Sequence, residues 1–190
     1  MNYKIVKLYD FCLNPNICML KPIVLEGRNY SLVFETKRMY VVPCTVTRLI
    51  NRICASLGTT LDAALDYSNS IFKDAHIKTN KDEIMIKLPI VLSVINQSYI
   101  LFPTASPRKK HAAWILWQNF RGHSIIGQHE IRLHFKNDVF IDEQISFTTL
   151  SRQQYYSSIL YFRHMDDMLT NYQNPLQMLF NARSDLFLVP

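Results

Sequence analysis

The chain has 190 residues, of which 48% are hydrophobic and 19% charged, with 4 glycines and 8 prolines. This composition is typical of a globular protein and excludes a mainly disordered or collagen-like chain. The length favours one domain over residues 1–190, with a short tail at 173–190. The net charge of +6 permits a polyanionic partner without requiring one.

The first half predicts an antiparallel sheet followed by two helices. Short β-branched and aromatic runs predict strands at 3–9, 18–25, 30–35 and 39–42. Apolar residues then recur at the helical period from 46 to 57, and Gly58 is placed to end that helix. Thr60 caps a second predicted helix over 60–72.

The second half predicts more strands and one long helix. Strands are expected at 84–95, 99–102 and 112–120, with a loop over 103–111 because Pro103 and Pro107 remove backbone donors. Residues 131–145 form a hairpin with a turn at Asn137-Asp138. From 148 to 172 an amphipathic helix is predicted. Its apolar face contains Tyr155, Ile159, Phe162, Met165, Leu169 and Tyr172. Its polar face contains Arg152, Gln153, Arg163, His164 and Asp167. The fold class is therefore α+β, with an antiparallel sheet, a helical pair in the first half and a long C-terminal helix.

The cysteines and the chain start indicate a reducing environment. Cys12, Cys18, Cys44 and Cys54 form no C-x-x-C pair, so free thiols are expected. Neither a secretory signal nor a membrane-spanning apolar stretch is visible. We therefore expect a cytoplasmic protein with no membrane partner.

Motifs for catalysis, metal binding or cofactor binding are missing. No H-E-x-x-H, G-x-S-x-G, Walker or dinucleotide glycine pattern occurs, and His129 and His134 are expected on opposite faces of a strand. We predict no enzymatic activity, no metal and no cofactor. The rival interpretation, an enzyme with an unrecognised site, predicts a pocket that gathers His123, His129, Asp142 and Glu143.

The feature that most favours a function is a basic loop beside aromatic residues. Residues 96–136 carry a net charge of +5, against +4 for 1–95 and −3 for 137–190. Arg108, Lys109, Lys110 and His111 precede Trp114, Trp117, Phe120 and Arg121. Such cations suit phosphates or the electronegative minor groove of A-tracts. The alternatives are a solvated loop and tryptophans that belong to the core.

Two further basic pairs are candidates for nucleic-acid contact. Arg48 and Arg52 lie one turn apart on the first helix, and Lys37 and Arg38 stand between two predicted strands. A helix-turn-helix over 45–72 is disfavoured because its second helix carries Asp62 and Asp66 and no base before Lys73.

Several segments resemble the competence transcription factor family, ComK. The most specific is Tyr99-Ile100-Leu101-Phe102-Pro103-Thr104 with Ser106 and, after the basic loop, Trp114-Ile115. Lys87-Leu88-Pro89-Ile90 looks like the family's Lys-Pro-Pro-Ile segment, and Arg52-Ile53-Cys54 with Gly58 is similar to its helix end. The resemblance covers about residues 20 to 172.

The resemblance implies a bacterial activator of DNA-uptake genes that binds AT-rich boxes, largely through the minor groove, as dimers that pair into higher assemblies. It also implies control by an adaptor for a Clp protease, and Phe187, Leu188, Val189 and Pro190 look like a shortened adaptor-binding segment.

We therefore predict a DNA-binding activator, with a protein-binding regulator that makes no direct DNA contact as the alternative. The expected DNA-binding residues are Arg108, Lys109, Lys110, His111 and Arg121, then Arg48 and Arg52, then Lys37 and Arg38. The helices at 45–57 and 148–172 offer more apolar surface than one sheet needs, so one of them is expected to form a homodimer.

Overall fold

The computed structural model describes residues 3–75, 87–94, 97–106, 109 and 111–173. Within these residues the chain forms strands, three helices and three short 3-10 turns. The strands are β1 (Lys4–Ile5), β2 (Ile17–Leu25), β3 (Arg28–Glu35), β4 (Met39–Val42), β5 (Ile90–Val94), β6 (Gln97–Pro103), β7 (Trp114–Leu116), β8 (Phe120–Ile125), β9 (Glu130–Phe135) and β10 (Phe140–Gln144). The helices are α1 (Val46–Ser56), α2 (Leu61–Asp74) and α3 (Phe147–Gln173), and the turns are Leu8–Asp10, Trp117–Asn119 and, between β9 and β10, Lys136–Asp138. The predicted α+β class is confirmed.

The larger sheet has seven strands in the order β1-β4-β3-β2-β7-β6-β5. Only the β1–β4 pair is parallel. Its central hairpin, β2–β3, turns at Glu26 and Gly27, whose φ angles of 49° and 73° are those of a type I′ turn. The strand predicted over 3–9 is wrong beyond Ile5, because the chain bends there and packs Leu8 and Phe11 against the core.

The predicted helical pair is confirmed, as are the Thr60 cap and the position of Gly58, and the structure adds a cap at Thr45. Thr45 Oγ1 accepts a hydrogen bond from the backbone N–H of Arg48, and Thr60 Oγ1 accepts one from Ala63. Gly58 follows α1 with a φ of 73°, a conformation that suits glycine at a helix end. The apolar face of α1 is buried against one face of the large sheet; its residues there are Val46, Leu49, Ile50, Ile53 and Cys54.

The second helix covers one edge of the large sheet. Ala64, near its start, belongs to the core cluster under α1. Ile71 and Phe72, near its end, pack instead with Leu88, Ile100 and Leu160, which belong to the cluster under α3. Because α2 spans both faces beside β5, it shields this edge strand from pairing with other chains.

The strand predicted over 112–120 is wrong in its second half. Strand β7 ends at Leu116, and a 3-10 turn leads into β8, which belongs to a second sheet. The side chain of Gln118 takes over the pairing with β6, because it accepts from the N–H of Ile100 at 3.1 Å and donates to the carbonyl of Ser98 at 2.9 Å. The backbone can therefore leave the large sheet without leaving N–H and C=O groups of β6 unpaired.

The second sheet contains β10, β9 and β8 and packs face to face on the large sheet. Its hairpin turn at Asn137 and Asp138 is the one predicted, with φ angles of 58° and 56°. The buried layer between the sheets joins Met19, Phe102 and Ile115 to Ile131, Leu133 and Phe135. An ion pair of 2.8 Å between Lys21 on β2 and Glu143 on β10 links the two sheets at their rim.

The long helix is present, but its buried face differs from the predicted one. The side chains that face the sheet are Leu150, Gln153, Ser157, Leu160 and His164, whereas Tyr155, Phe162 and Leu169 are 57%, 65% and 54% exposed. Gln153 and His164 had been assigned to the polar outer face. They are buried because each finds a partner inside, and Gln153 donates to the carbonyl of Lys87.

Two further expectations concern the cysteines and membrane-spanning helices. All four cysteines are free, as predicted, and burial raises the pKa of Cys18 and of Cys54 to about 11. In the part of the chain that the structure describes, no helix combines the length and apolar content needed to cross a bilayer.

His164 connects α3 to α2 and to the β5–β6 hairpin. Tyr67 on α2 donates its hydroxyl proton to Asp167 at 3.0 Å, so its oxygen accepts from His164 Nδ1 at 3.2 Å. His164 Nε2 therefore carries no proton in the neutral ring and accepts from Ser93 or Ser98, at 3.0 Å and 2.9 Å. This network requires a neutral imidazole in a buried position.

The network predicts a pH dependence of stability. Burial lowers the pKa of His164 below 6.5, although Asp167 offsets part of the effect. Below pH 6.5 the unfolded chain therefore binds more protons than the folded protein, and the free energy of unfolding falls until the pH passes the pKa of folded His164. Above that range the contribution is complete.

Urea unfolding between about pH 8 and pH 5 checks this dependence. We expect His164→Gln to lose about 1–3 kcal/mol at neutral pH, as for a buried hydrogen-bonded group, and to show a weaker decline on acidification. The same change at exposed His129 should leave both quantities unchanged. An equal acid-dependent decline in wild type and His164→Gln would contradict the assignment.

Candidate nucleic-acid interface

Strand register divides the predicted basic residues between two ends of the large sheet. We call one end of the strands the loop end. It contains the β2–β3 turn at Glu26–Gly27 and the β6–β7 loop from Thr104 to Ala113. These lie together because β2 pairs antiparallel with β7, with Leu20 opposite Trp114. The far end contains the β3–β4 turn at 36–38 and the segment 14–16.

The β6–β7 loop is anchored at its base, and its described basic residues are exposed. Thr104 N–H donates to the carbonyl of Ala113 at 2.9 Å, and Ala113 N–H donates to Thr104 Oγ1 at 3.1 Å. Ser106, whose side chain is also buried, accepts at its carbonyl from the N–H of Lys109 at 2.8 Å. Lys109 and His111 are exposed, so the loop presents cations from a fixed base.

Arg48 lies at the loop end as well. It occupies the first turn of α1, which begins just after β4 ends beside Ser31. Arg52 is one turn further along the same exposed face. Neither arginine, nor Lys109, forms an ion pair with a residue that the structure describes. Their charges are therefore available to an external anion.

Two helix N-termini reinforce the positive charge of the loop end. Both α1 and α3 begin there, since α3 follows β10 directly and Gln153 in its second turn contacts Lys87, which precedes β5. The partial positive charge of a helix N-terminus favours anions. Helix α2 runs the other way, and Lys73 in its last turn offsets the negative end of its dipole.

Lys37, Arg38 and Arg121 lie at the far end. Arg121 follows Asn119, whose side chain donates to the carbonyls of Pro15 and Ile17 at 2.6 Å. Arg38 is engaged within the protein, because its Nε lies 2.6 Å from Glu35 Oε2. The structure therefore does not bring these cations together with Lys109 and Arg48.

Glu35 explains why Arg38 is held in place. Burial alone would raise the pKa of this carboxyl, but hydrogen bonds from Arg38, Asn14 and Tyr40 hold it below its usual value. The ionised Glu35 is therefore a structural partner that ties the β3–β4 turn to the segment before β2. Among the far-end cations, Lys37 and Arg121 remain without an ion pair in the described residues.

Trp114 belongs to the core, as the alternative to base stacking predicts, and Trp117 is partly buried. Trp114 is 1% exposed and lies in the cluster under α1. Trp117 packs against Tyr161 of α3, with ring centroids 5.1 Å apart. Their role near the basic loop is to fix the strand from which that loop departs.

Sequence reasoning missed two features of the loop end. Arg28 stands at the β2–β3 turn and is exposed there. The β8–β9 turn also projects at this end, because Phe120 starts β8 near Ile17 and Glu143, opposite Ile131, reaches Lys21 further along β2. Both features depend on which strands pair, and no local pattern in the sequence signals this.

The four residues that the enzyme interpretation needed are not gathered. Asp142 and Glu143 are neighbours on β10 and point to opposite sides, one paired with Arg132 and the other with Lys21. His123 contacts Phe147, and His129 is exposed near the β8–β9 turn. Over the ranges that the structure describes, no group of three His, Cys, Asp or Glu side chains could hold a metal ion.

Some predicted site residues lie outside the described residues. These are Arg108 and Lys110 of the basic loop and the adaptor-binding segment Phe187, Leu188, Val189 and Pro190. Their contacts with DNA and with an adaptor stay predictions.

Comparison with known proteins gives one match. A family model described as ComK protein matches residues 8–168. The search of curated proteins and the search of solved structures each found no match.

The anchored loop predicts a specific effect of Thr104. Thr104→Val removes the oxygen that accepts from the buried N–H of Ala113, and we expect a loss of about 1–3 kcal/mol in the free energy of unfolding. Amide hydrogen exchange from Thr104 to Ala113 should become faster. Thr104→Ser keeps the oxygen and serves as the control. Unchanged protection in Thr104→Val would show that the loop does not depend on this bond.

Proposed function

Because the chain belongs to the ComK family of competence transcription factors, we propose that it activates competence genes by binding AT-rich duplex DNA. The loop end of the protein binds this DNA, mainly through the minor groove. The observation that carries this proposal is the position of Lys109, His111 and Arg48. These basic side chains are exposed at one end, and none of them forms an ion pair with a described carboxylate. Arg28, at the neighbouring turn, extends the same surface.

The geometry of the loop favours the minor groove over the major groove. Single cationic side chains from a loop, such as Lys109, fit a groove about 6 Å wide, whereas major-groove readers insert a helix or a broad ribbon. A-tracts narrow the minor groove and raise its negative potential, which attracts lysine, arginine and histidine. Neither α1 nor α2 is free to act as a recognition helix, since α1 is packed on the sheet and α2 on its edge.

The rival function, a regulator that contacts only proteins, has one observation in its favour. Helix α3 exposes Tyr155, Phe162 and Leu169 along one line, seven residues apart. We propose that this face binds a second copy of the chain, so that it serves DNA binding by a homodimer and leaves the loop end free. The apolar face of α1 is buried in the core, so it offers no such surface.

Self-complementarity favours a second copy over another partner. A seven-residue apolar repeat is the spacing with which two helices pack along a common seam. Ala75 borders the same surface, where a groove of about 300 Å³ also contacts Ile159. Arg163 and Asp166 flank this groove with opposite charges. In an antiparallel pair each charge meets its opposite on the other copy, as a two-fold interface requires.

DNA binding is tested by Lys109→Ala with Lys37→Ala as the matched control, because both lysines are exposed but lie at opposite ends. Affinity for an AT-rich duplex should fall steeply with salt, and Lys109→Ala should reduce the log–log slope by about 1. Lys37→Ala should leave the slope unchanged. Fluorescence anisotropy over a series of salt concentrations measures both.

A GC-rich duplex of equal length completes this experiment. Wild type should bind it more weakly, because guanine places an amino donor in the minor groove that A·T pairs lack. Equal and weak binding to both duplexes, with no salt slope, would favour the regulator that makes no DNA contact. Equal log–log salt slopes in wild type, Lys109→Ala and Lys37→Ala would show that Lys109 is not part of the DNA interface.

The dimer is tested by Phe162→Glu, with Phe140→Glu as the control on the exposed face of the second sheet. Both phenylalanines are more than half exposed, so neither change disturbs the core. Sedimentation velocity should show a dimer for wild type and for Phe140→Glu and a monomer for Phe162→Glu, because a buried unpaired carboxylate opposes association. A monomeric wild type, with and without DNA, would contradict the proposal.

A further inference from the structure

We propose that the β8–β9 turn is an apolar wedge, in which Ile125 and Ile126 enter the minor groove and unstack a base step. This inference rests on the proposed DNA-binding function and adds a contact that reads the deformability of DNA rather than its charge. It predicts that the protein bends its binding site.

The two isoleucines are exposed where the fold has no need of them. Ile125 is 63% and Ile126 is 44% exposed, although Ile131, which pairs with Ile125 across the hairpin, is 1% exposed. The core between the sheets is closed by Ile131, Leu133 and Phe135. Neighbouring β-branched side chains of this size at a turn cost solubility unless they meet another surface.

The turn holds these side chains in a defined position. The N–H groups of Ile126 and Gly127 both donate to the carbonyl of Glu130, at 3.1 Å and 3.0 Å. Below them, Ser124 Oγ lies 2.9 Å from His134 Nε2 across the two strands. A wedge must be preorganised in this way, because ordering a loose loop on binding would consume much of the interaction energy.

The wedge stands beside the proposed phosphate contacts. Because the ion pair between Lys21 and Glu143 aligns the sheets, the β8–β9 turn projects at the loop end together with Lys109 and Arg28. A two-stranded ribbon is too broad for a minor groove of about 6 Å, so the turn would insert only the side chains of Ile125 and Ile126 and not its backbone. We therefore expect DNA that is bound at the loop end to reach the turn as well.

The local charges indicate an apolar role for the turn. Arg132 is engaged by Asp142 through two hydrogen bonds of 2.7 Å and 2.9 Å. Glu130 adds a negative charge next to the turn. An electrostatic contact is therefore not what this hairpin supplies, and removing the isoleucines should leave the number of neutralised phosphates unchanged.

AT-rich DNA suits such a wedge. TA steps are the ones most easily kinked or unstacked, and proteins that insert apolar side chains there bend the duplex away from the minor groove. Charge-based attraction to narrow A-tracts and insertion at adjacent TA steps would together select AT-rich sites without hydrogen bonds to base edges.

The experiment uses the full chain and an AT-rich duplex with 2-aminopurine, a fluorescent adenine analogue quenched by stacking, at a central TA step. A second duplex carries a fluorophore at each end to report bending by energy transfer. The variant is Ile125→Ala/Ile126→Ala. Its matched control is Ile5→Ala, since Ile5 is 63% exposed on β1, an edge strand of the large sheet that β4 and β3 separate from β2. Thermal unfolding confirms that both variants are folded.

Wild type and Ile5→Ala should raise 2-aminopurine fluorescence and shorten the end-to-end distance. The double variant should lose both signals and bind about tenfold more weakly, the effect of losing the apolar contact of roughly one side chain, with an unchanged salt slope. Wild-type binding without unstacking or bending, or a double variant that retains both signals, overturns the wedge while the DNA-binding function stands. A wild type that shows no salt-dependent affinity overturns the function itself.

Discussion

The alignment of the two sheets is the constraint on which the rest of the molecule depends. Their apolar faces would tolerate sliding, but Lys21 reaches Glu143 across the gap and Asn119 binds the backbone at the start of β2. Sliding one sheet along the other would break these polar contacts and separate the apolar side chains that pack between the sheets. Glu143 is almost fully buried, so losing Lys21 would leave a charge unpaired inside the protein.

This alignment collects several weak positive features at one end. The β2–β3 turn, the anchored β6–β7 loop and the N-termini of α1 and α3 all point the same way because strand register and helix direction agree. Single surface lysines or helix termini carry little information about function. Their convergence, with no described carboxylate to neutralise Lys109 or Arg48, is what a polyanion would recognise.

The long helix divides its faces in an unusual way. Inward it presents Gln153 and His164. The amide N–H of Gln153 donates to the carbonyl of Lys87, whereas its Oε1 has no hydrogen-bond partner among the described residues, and His164 bonds to hydroxyls on three other elements. Outward it exposes a line of large apolar side chains. Burial of a polar group is tolerable when its hydrogen bonds are made, so hydrophobicity alone does not determine which face of an amphipathic helix meets the core.

Local patterns in the sequence determined the elements and their ends. Alternation predicted the β2–β3 and β9–β10 hairpins, and Gly58 and Thr60 marked the end of α1 and the start of α2, because turns and caps are decided by a few neighbouring residues. Only the tertiary structure decided that Lys109 and Arg48 lie at one end while Lys37 and Arg121 lie at the other, and that β7 stops at Leu116. Those outcomes depend on strand partners far apart in the chain, which are selected by the total burial and hydrogen bonding of the whole fold and leave no local signal.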